Sequence, residues 1–85
     1  MPKSTLTDAY DAAVNALVEI RKAYGVSQVE LGARLGWPQQ FVSPVERKER
    51  RLDVIEYYAF VRATGADPEA ALIELFRKLP DRVDI

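Results

Sequence analysis

Two short helical patterns separated by one glycine constrain the middle of this 85-residue chain more than any other feature. The first pattern follows Ser27, which is a good N-cap residue, and Glu30 three positions later completes a capping-box pattern. Gly36 ends this helix and permits the positive φ of a tight turn. The second pattern runs from Gln39 to Glu46, and the proline before it suits a first helical turn. The spacing predicts two closely packed helices over about residues 27–46.

The first helix of the chain is predicted from apolar residues at steps of three and four, which share one helical face. This face consists of Leu6, Tyr10, Ala13, Leu17, Ile20 and Tyr24. Gly25 follows as a C-cap residue. Further along, Asp53 suits the N-cap of a fourth helix that Gly65 closes. The residues of this helix predicted to face inward are Val54, Tyr57, Tyr58 and Val61.

A fifth helix is predicted to start at Asp67 and Pro68 and to stop at Pro80. Its apolar stripe consists of Leu72, Leu75, Phe76 and Leu79. The sequence contains no strand-length alternation and no internal repeat. We therefore predict an all-α fold, a compact five-helix bundle that forms one domain over residues 1–85. The stripe on the helix over about residues 67–79 either completes the monomer core or serves dimerisation.

Charge is unevenly distributed along the chain. The net charge is −1, yet residues 34–51 carry five basic and two acidic side chains. The basic ones are Arg34, Arg47, Lys48, Arg50 and Arg51. This segment predicts a surface for a polyanion on an otherwise acidic chain, although a solvated charged loop has the same composition.

The residues do not favour an enzyme. Cysteine and histidine are absent, so disulfides, thiolate metal sites and the commonest catalytic base are excluded. Ser43 therefore lacks an activating histidine, and Glu46 is expected to pair with a neighbouring arginine. Tyr57, Tyr58 and Phe60 stand at helical spacing, which favours a core over a ligand pocket. We predict no catalytic residue, metal or cofactor, no membrane segment, and a cytoplasmic location.

Two valines orient the second helix of the central pair. Val42 and Val45 are expected to anchor this helix to the core, with a polar face turned outward. The outward residues are Gln39, Gln40 and Ser43. A helix presented in this way fits the major groove of B-DNA, where glutamine can pair bidentately with adenine N6 and N7. Gln28, at the start of the preceding helix, is a candidate phosphate contact.

The central segment resembles the Xre/Cro family of phage and bacterial repressors. The resemblance lies in Leu17-x-x-Ile20-Arg21, in Gly25-Val26-Ser27-Gln28-x-x-Leu31-Gly32-x-x-Leu35-Gly36, and in Gln39-x-x-Val42-Ser43-x-x-Glu46-Arg47. It extends from about Leu17 to Gly65 and includes Arg50-Arg51-Leu52-Asp53-Val54.

This resemblance implies a lambda-repressor-like DNA-binding domain that recognises a palindromic operator as a homodimer and represses transcription. By the same resemblance, the outward side chains would approach the bases of double-stranded DNA. The phosphate contacts would be Gln28, Arg47, Lys48, Arg50 and Arg51.

Three residues depart from the family pattern. Gly32 replaces the usual alanine, and Lys48 replaces a glycine, which would cost about 1 kcal/mol if the backbone there is left-handed. Pro44 replaces a polar residue inside the second helix of the pair, where proline removes a hydrogen bond and costs about 3 kcal/mol. It also disfavours helical angles at Ser43.

Pro44 leaves three interpretations open. In the first interpretation, the helix kinks after Gln40 and reads bases with its N-terminal half only. Alternatively, the chain has lost DNA binding and serves as a protein-interaction module, or as an antitoxin that binds a toxin partner. Finally, the proline is an introduced change that disables recognition. The first two differ in whether the chain binds DNA at all.

Overall fold

Five α-helices build the chain, whose computed structural model describes the backbone of residues 2–83 and the side chains of residues 8–38 and 40–83. The helices are α1 (Pro2–Ala23), α2 (Gln28–Leu35), α3 (Gln39–Glu46), α4 (Val54–Thr64) and α5 (Pro68–Lys78). No strand occurs in residues 2–83, which confirms the all-α prediction. None of the described helices is both long and apolar enough to cross a membrane.

The core lies where α1, α2, α3 and α4 meet. Its fully buried side chains come from all four helices, so each helix buries one apolar face against the others. They include Leu17, Leu31, Val42, Val45, Phe60 and Val61. Helix α5 packs on α1 and α4, and within the described residues it has no contact with α3. The face of α3 that lies opposite the core is therefore not covered by another helix.

The helix ends follow the predicted caps, except that Pro38 lies at the N-cap of α3 with an extended ψ of 155° and not in its first turn. The Ser27 hydroxyl accepts a hydrogen bond from the Glu30 N–H at 3.0 Å, and Gly36 closes α2 with φ 74°. The Glu30 carboxylate does not complete the predicted capping box, because it accepts from Arg34 Nε at 3.1 Å instead. A reciprocal capping box does form at the start of α4, between Asp53 and Glu56.

The buried face of α1 differs from the prediction. Val14, Leu17 and Arg21 are buried, whereas Tyr24 is largely exposed. The face is thus rotated relative to the predicted stripe, since the helix buries an arginine that a purely apolar pattern passes over. Leu6 lies outside the residues whose side chains are described.

The inward faces of α4 and α5 were only partly predicted. Phe60 and Val61 are buried and Tyr57 is half-buried, but Val54 and Tyr58 face outward. Since α4 has apolar residues on all sides, its sequence alone does not select one face.

The α5 stripe is similarly split. Leu75 is buried and Leu72 is half-buried, whereas Phe76 remains 61% exposed. Helix α5 therefore leaves an aromatic ring on the surface, in addition to completing the monomer core.

Candidate nucleic-acid interface

Helix α3 presents one continuous stripe of residues away from the core. Val42 and Val45 are fully buried, which fixes the rotation of the helix. The opposite stripe has the i, i+3, i+4, i+7 spacing of a single helical face and consists of Gln40, Ser43, Pro44 and Arg47. These four residues line an open depression of about 270 Å³. The side chain of Gln39, a predicted base contact, lies outside the described residues.

Pro44 lies within an uninterrupted helix. The chain is helical from Gln39 to Glu46, so Ser43 keeps helical geometry and the expectation that Pro44 displaces it is wrong. The Ser43 carbonyl accepts from Arg47 N at 3.0 Å, and the Pro44 carbonyl accepts from Glu49 N at 2.9 Å. The two buried valines hold the helical path on both sides of the proline. Pro44 has no N–H, so it cannot donate the i to i−4 hydrogen bond to the Gln40 carbonyl.

Lys48 occupies a left-handed backbone conformation directly after α3. Its φ is 66°, and it is the only residue other than glycine with positive φ in the described part of the chain. The condition under which lysine carries a cost at this position, a left-handed backbone, is therefore met. Because the exposed Lys48 side chain extends from this turn, the turn places a cation beside the C-terminal end of the outward stripe.

Arg47 is paired in the unbound protein. Its Nη2 contacts Glu49 Oε1 at 3.1 Å, and its Nη1 donates to the Ser43 hydroxyl. The pKa of Glu49 lies below its ordinary value because the carboxylate accepts hydrogen bonds from Arg47. Both side chains are about half exposed, and exposed ion pairs are weak enough to exchange for another partner. Arg47 can therefore reach an anion only in competition with Glu49.

An aromatic stack fixes the loop that follows α3. The rings of Trp37 and Phe41 stack with their centroids 4.4 Å apart, and the Arg50 guanidinium lies 3.8 Å from the Phe41 centroid. Arg50 also donates to Glu56 Oε2 at 3.2 Å. Arg50, predicted as a phosphate contact, is thus held by contacts that connect the turn before α3 with the start of α4. This stack was not predicted from the sequence, although an aromatic pair at i and i+4 is its signal.

Arg51 is placed differently from Arg50. Its side chain is exposed, and its guanidinium lies 4.8 Å from the centroid of the Tyr10 ring. The Tyr10 hydroxyl accepts from Leu52 N at 3.0 Å. Tyr10 therefore fixes the path of the chain beside Arg51, which keeps its charge at the surface.

A buried ion pair connects α1 to the end of α3. Arg21 Nη2 donates to Glu46 Oε1 at 2.8 Å, and Arg21 Nη1 donates to the Val26 carbonyl at 2.8 Å. Glu46 was predicted to pair with a neighbouring arginine, but its partner is 25 residues away in sequence. Gln28 Nε2 also donates to Glu46 Oε1, at 2.9 Å. The predicted phosphate contact Gln28 thus also positions α3.

The two-helix unit formed by α2 and α3 is similar to that of known proteins. The family model described as HTH_3, helix-turn-helix, matches residues 17–70, well over half of the chain. The chain belongs to this helix-turn-helix family. A solved "XRE-family like protein" from Pseudomonas syringae pv. tomato str. DC3000 is 49% identical with a TM-score of 0.84, over 92% of this chain and 95% of that one. A comparison with curated protein sequences finds no significant match.

The family and the solved neighbour support a DNA-binding transcription regulator of the XRE type. In this helix-turn-helix protein, α2 and α3 form the two-helix unit, and the outward stripe belongs to α3. Within the described residues, no group of three acidic side chains is arranged to hold a metal ion. The chemistry that the site presents consists of amide, hydroxyl and guanidinium groups around one apolar ring.

Proposed function

We propose that this protein represses transcription by binding a palindromic operator as a homodimer, with α3 in the major groove. The observation that carries the proposal is the outward stripe of α3, which is not covered by another helix and lies opposite two fully buried valines. A helix held rigidly by its core face can present side chains to base edges at a defined depth. A cytoplasmic location follows from this proposal, because the partner is genomic DNA.

The base contacts belong to the N-terminal part of the stripe. Gln40 is exposed, and within the described part of the chain its amide makes no side-chain hydrogen bond. It can therefore pair with adenine N6 and N7 without first losing an internal partner. We assign Gln39 the same role from its position one residue earlier, and Ser43 a hydroxyl contact that Arg47 supports.

The phosphate contacts flank the stripe at both of its ends. Lys48 and Arg51 are exposed and are the strongest candidates, followed by Arg47 once it exchanges Glu49 for a phosphate. Gln28 keeps one amide hydrogen for a phosphate, because an amide nitrogen carries two and Glu46 accepts one. Arg50 is held by Phe41 and Glu56, so we propose that it orders the loop and contributes its charge at longer range.

A dimer is supported by apolar side chains left on the surface of α4 and α5. Val54 and Ile55 are each 71% exposed, and Tyr58, Ile73 and Phe76 are also largely exposed. An open cavity of about 410 Å³ lies between the two helices, against Tyr57 and Leu72. Val54, Ile55 and Tyr58 line this cavity together, and exposed apolar groups clustered in this way mark an association surface more often than scattered ones do. Sedimentation at several protein concentrations measures the association, and Ile55→Ser should weaken it.

The same apolar surface favours a second candidate function, the binding of another protein with little or no DNA affinity. The two functions are distinguished by titrating the protein with labelled duplex DNA from the region upstream of its own gene. A repressor binds this duplex with an affinity that falls steeply as salt increases, because each neutralised phosphate releases counterions. No binding at low salt, under conditions where a protein partner still binds, would reject the repressor.

Two substitutions test the assigned residues in this titration. Gln40→Ala should lower affinity for the best sequence by about 1–3 kcal/mol and relax the preference at one base pair. Lys48→Ala should weaken all sequences alike and lower the salt slope by about one. Lys78→Ala is the matched control, because Lys78 is an exposed cation on α5, a helix without contact to α3. An equal loss in Lys78→Ala would show that net charge, and not the α3 surface, determines binding.

A further inference from the structure

We propose that Pro44 determines specificity by packing against the 5-methyl group of a thymine, an inference that rests on the proposed function. Pro44 lines the depression on α3, one turn after Gln40 and one turn before Arg47, with Ser43 adjacent to it in the chain. It is the only apolar member of these four residues. The surface thus combines one apolar ring with a rim of hydrogen-bonding groups.

This combination matches the edge that an A·T base pair presents in the major groove. Thymine presents a methyl group beside the O4 acceptor, and adenine presents the N6 donor and the N7 acceptor. Cytosine and guanine have no methyl group; guanine presents the N7 and O6 acceptors, and cytosine presents the N4 donor beside a C5–H. An apolar ring among polar groups therefore favours thymine and leaves the polar edges of the other bases partly unsatisfied.

The hydrogen-bonding state of Gln40, Ser43 and Arg47 indicates that Pro44 is the residue that meets the methyl group. The Ser43 hydroxyl accepts from Arg47, so these two side chains form one polar wall and the hydroxyl hydrogen remains for a base. The Gln40 amide is available on the other side for an adenine. The Pro44 ring lies between Gln40 and Arg47 along the helix axis and cannot donate a hydrogen bond. A thymine methyl is the major-groove group that gains from contact with such a surface.

The position of Pro44 also fits a contact that requires a fixed surface. The proline ring is rigid, and the flanking Val42 and Val45 are fully buried. The ring therefore reaches the groove at a set depth and loses no side-chain rotational freedom on binding. A proline that costs helix stability thereby supplies a preorganised apolar contact.

The experiment begins with selection of binding sites from a random duplex library, using the full chain. Each thymine of the selected site is then replaced by deoxyuridine, which removes only the 5-methyl group. We expect one thymine per half-site at which the replacement weakens binding about fourfold, the loss expected for one buried methyl group. Replacements at the other positions should leave the affinity nearly unchanged.

The variant Pro44→Ser shows whether this sensitivity belongs to Pro44. Serine restores the helical N–H and removes the apolar ring, so the ratio of affinities for thymine and deoxyuridine should fall to about one at that position. Pro80→Ser is the matched control, because Pro80 is an exposed proline beyond α5, and it should keep the fourfold ratio. Circular dichroism of both variants checks that the helices are retained.

The outcomes separate this inference from the proposed function. A selected site with no thymine sensitive to deoxyuridine would overturn the inference and leave the repressor proposal intact. The same holds if Pro44→Ser keeps the full fourfold ratio. Failure to select any site, together with no salt-dependent duplex binding, would overturn the proposed function and this inference with it.

Discussion

The buried pair between Arg21 and Glu46 provides the most informative stability experiment. The exposed fraction is 10% for the Arg21 side chain and 6% for the Glu46 side chain. Glu46→Ala leaves the guanidinium without its anion in a place that water reaches poorly. Removing one partner of a buried ion pair typically costs about 3–5 kcal/mol. In a domain with a total stability of about 5–15 kcal/mol, this is a large share.

The structure favours the lower end of that range. Arg21 keeps its hydrogen bond to the Val26 carbonyl, and its small exposed fraction allows partial hydration. Gln28 also loses an acceptor, but its half-buried amide can turn toward water. We therefore expect Glu46→Ala to lower the free energy of unfolding by about 3 kcal/mol. Urea denaturation followed by far-ultraviolet circular dichroism measures this change.

Two further variants identify the cause of the loss. The double variant Arg21→Met with Glu46→Leu should recover stability to within about 1 kcal/mol of the parent, because no uncompensated charge remains buried. The matched control is Glu30→Ala, which breaks the exposed pair of Glu30 with Arg34 and should cost about 0.5 kcal/mol or less. If Glu46→Ala costs no more than Glu30→Ala, or if the double variant is as unstable as Glu46→Ala, the reasoning is refuted.

Three other substitutions should change stability in directions that denaturation experiments can measure. Pro44→Ala should raise the free energy of unfolding by about 2–3 kcal/mol, since alanine restores the hydrogen bond to the Gln40 carbonyl; no gain would mean that the helix is unstrained at this position. Lys48→Gly should gain up to about 1 kcal/mol, because φ is 66° there, and a loss would contradict the left-handed conformation. Burial raises the pKa of Tyr57 to about 12, above its ordinary value of 10, so stability is complete below about pH 10 and falls as the pH rises toward 12. Tyr57→Phe should make that alkaline loss shallower, and an unchanged pH profile would count against the burial of the phenol.

The local signals in the sequence predicted the positions of the helices well. Ser27, Asp53 and Asp67 each cap a helix, and Gly36 and Gly65 each end one with positive φ. These features act over one helical turn, so a single sequence contains all the information that they require.

The sequence could not predict which partners the side chains choose. Arg21 and Glu46 are far apart in sequence, and only the packing of α1 against α3 brings them together. A signal did exist, because Arg21 stands four residues after the buried Leu17, where the apolar face of α1 continues. A charged residue in that register indicates a buried partner, but it does not say which one.

The basic segment shows the same limit for the candidate site. Its sequence predicted a surface for a polyanion. In the structure, Arg47 pairs with Glu49 and Arg50 is held by Phe41 and Glu56. Charge counting treats all five basic residues alike. Their surroundings differ, and we propose the exposed Lys48 and Arg51 as the strongest candidates for phosphate contacts.

The stacked pair of Trp37 and Phe41 has a spectroscopic consequence. Trp37 is the sole tryptophan of the chain, and it lies in the turn between α2 and α3. Its emission therefore originates from the two-helix unit itself, with no contribution from a second indole elsewhere. Separation of the stacked rings would change the colour and lifetime of that emission. The protein thus contains an intrinsic optical probe at the turn that positions its outward helix.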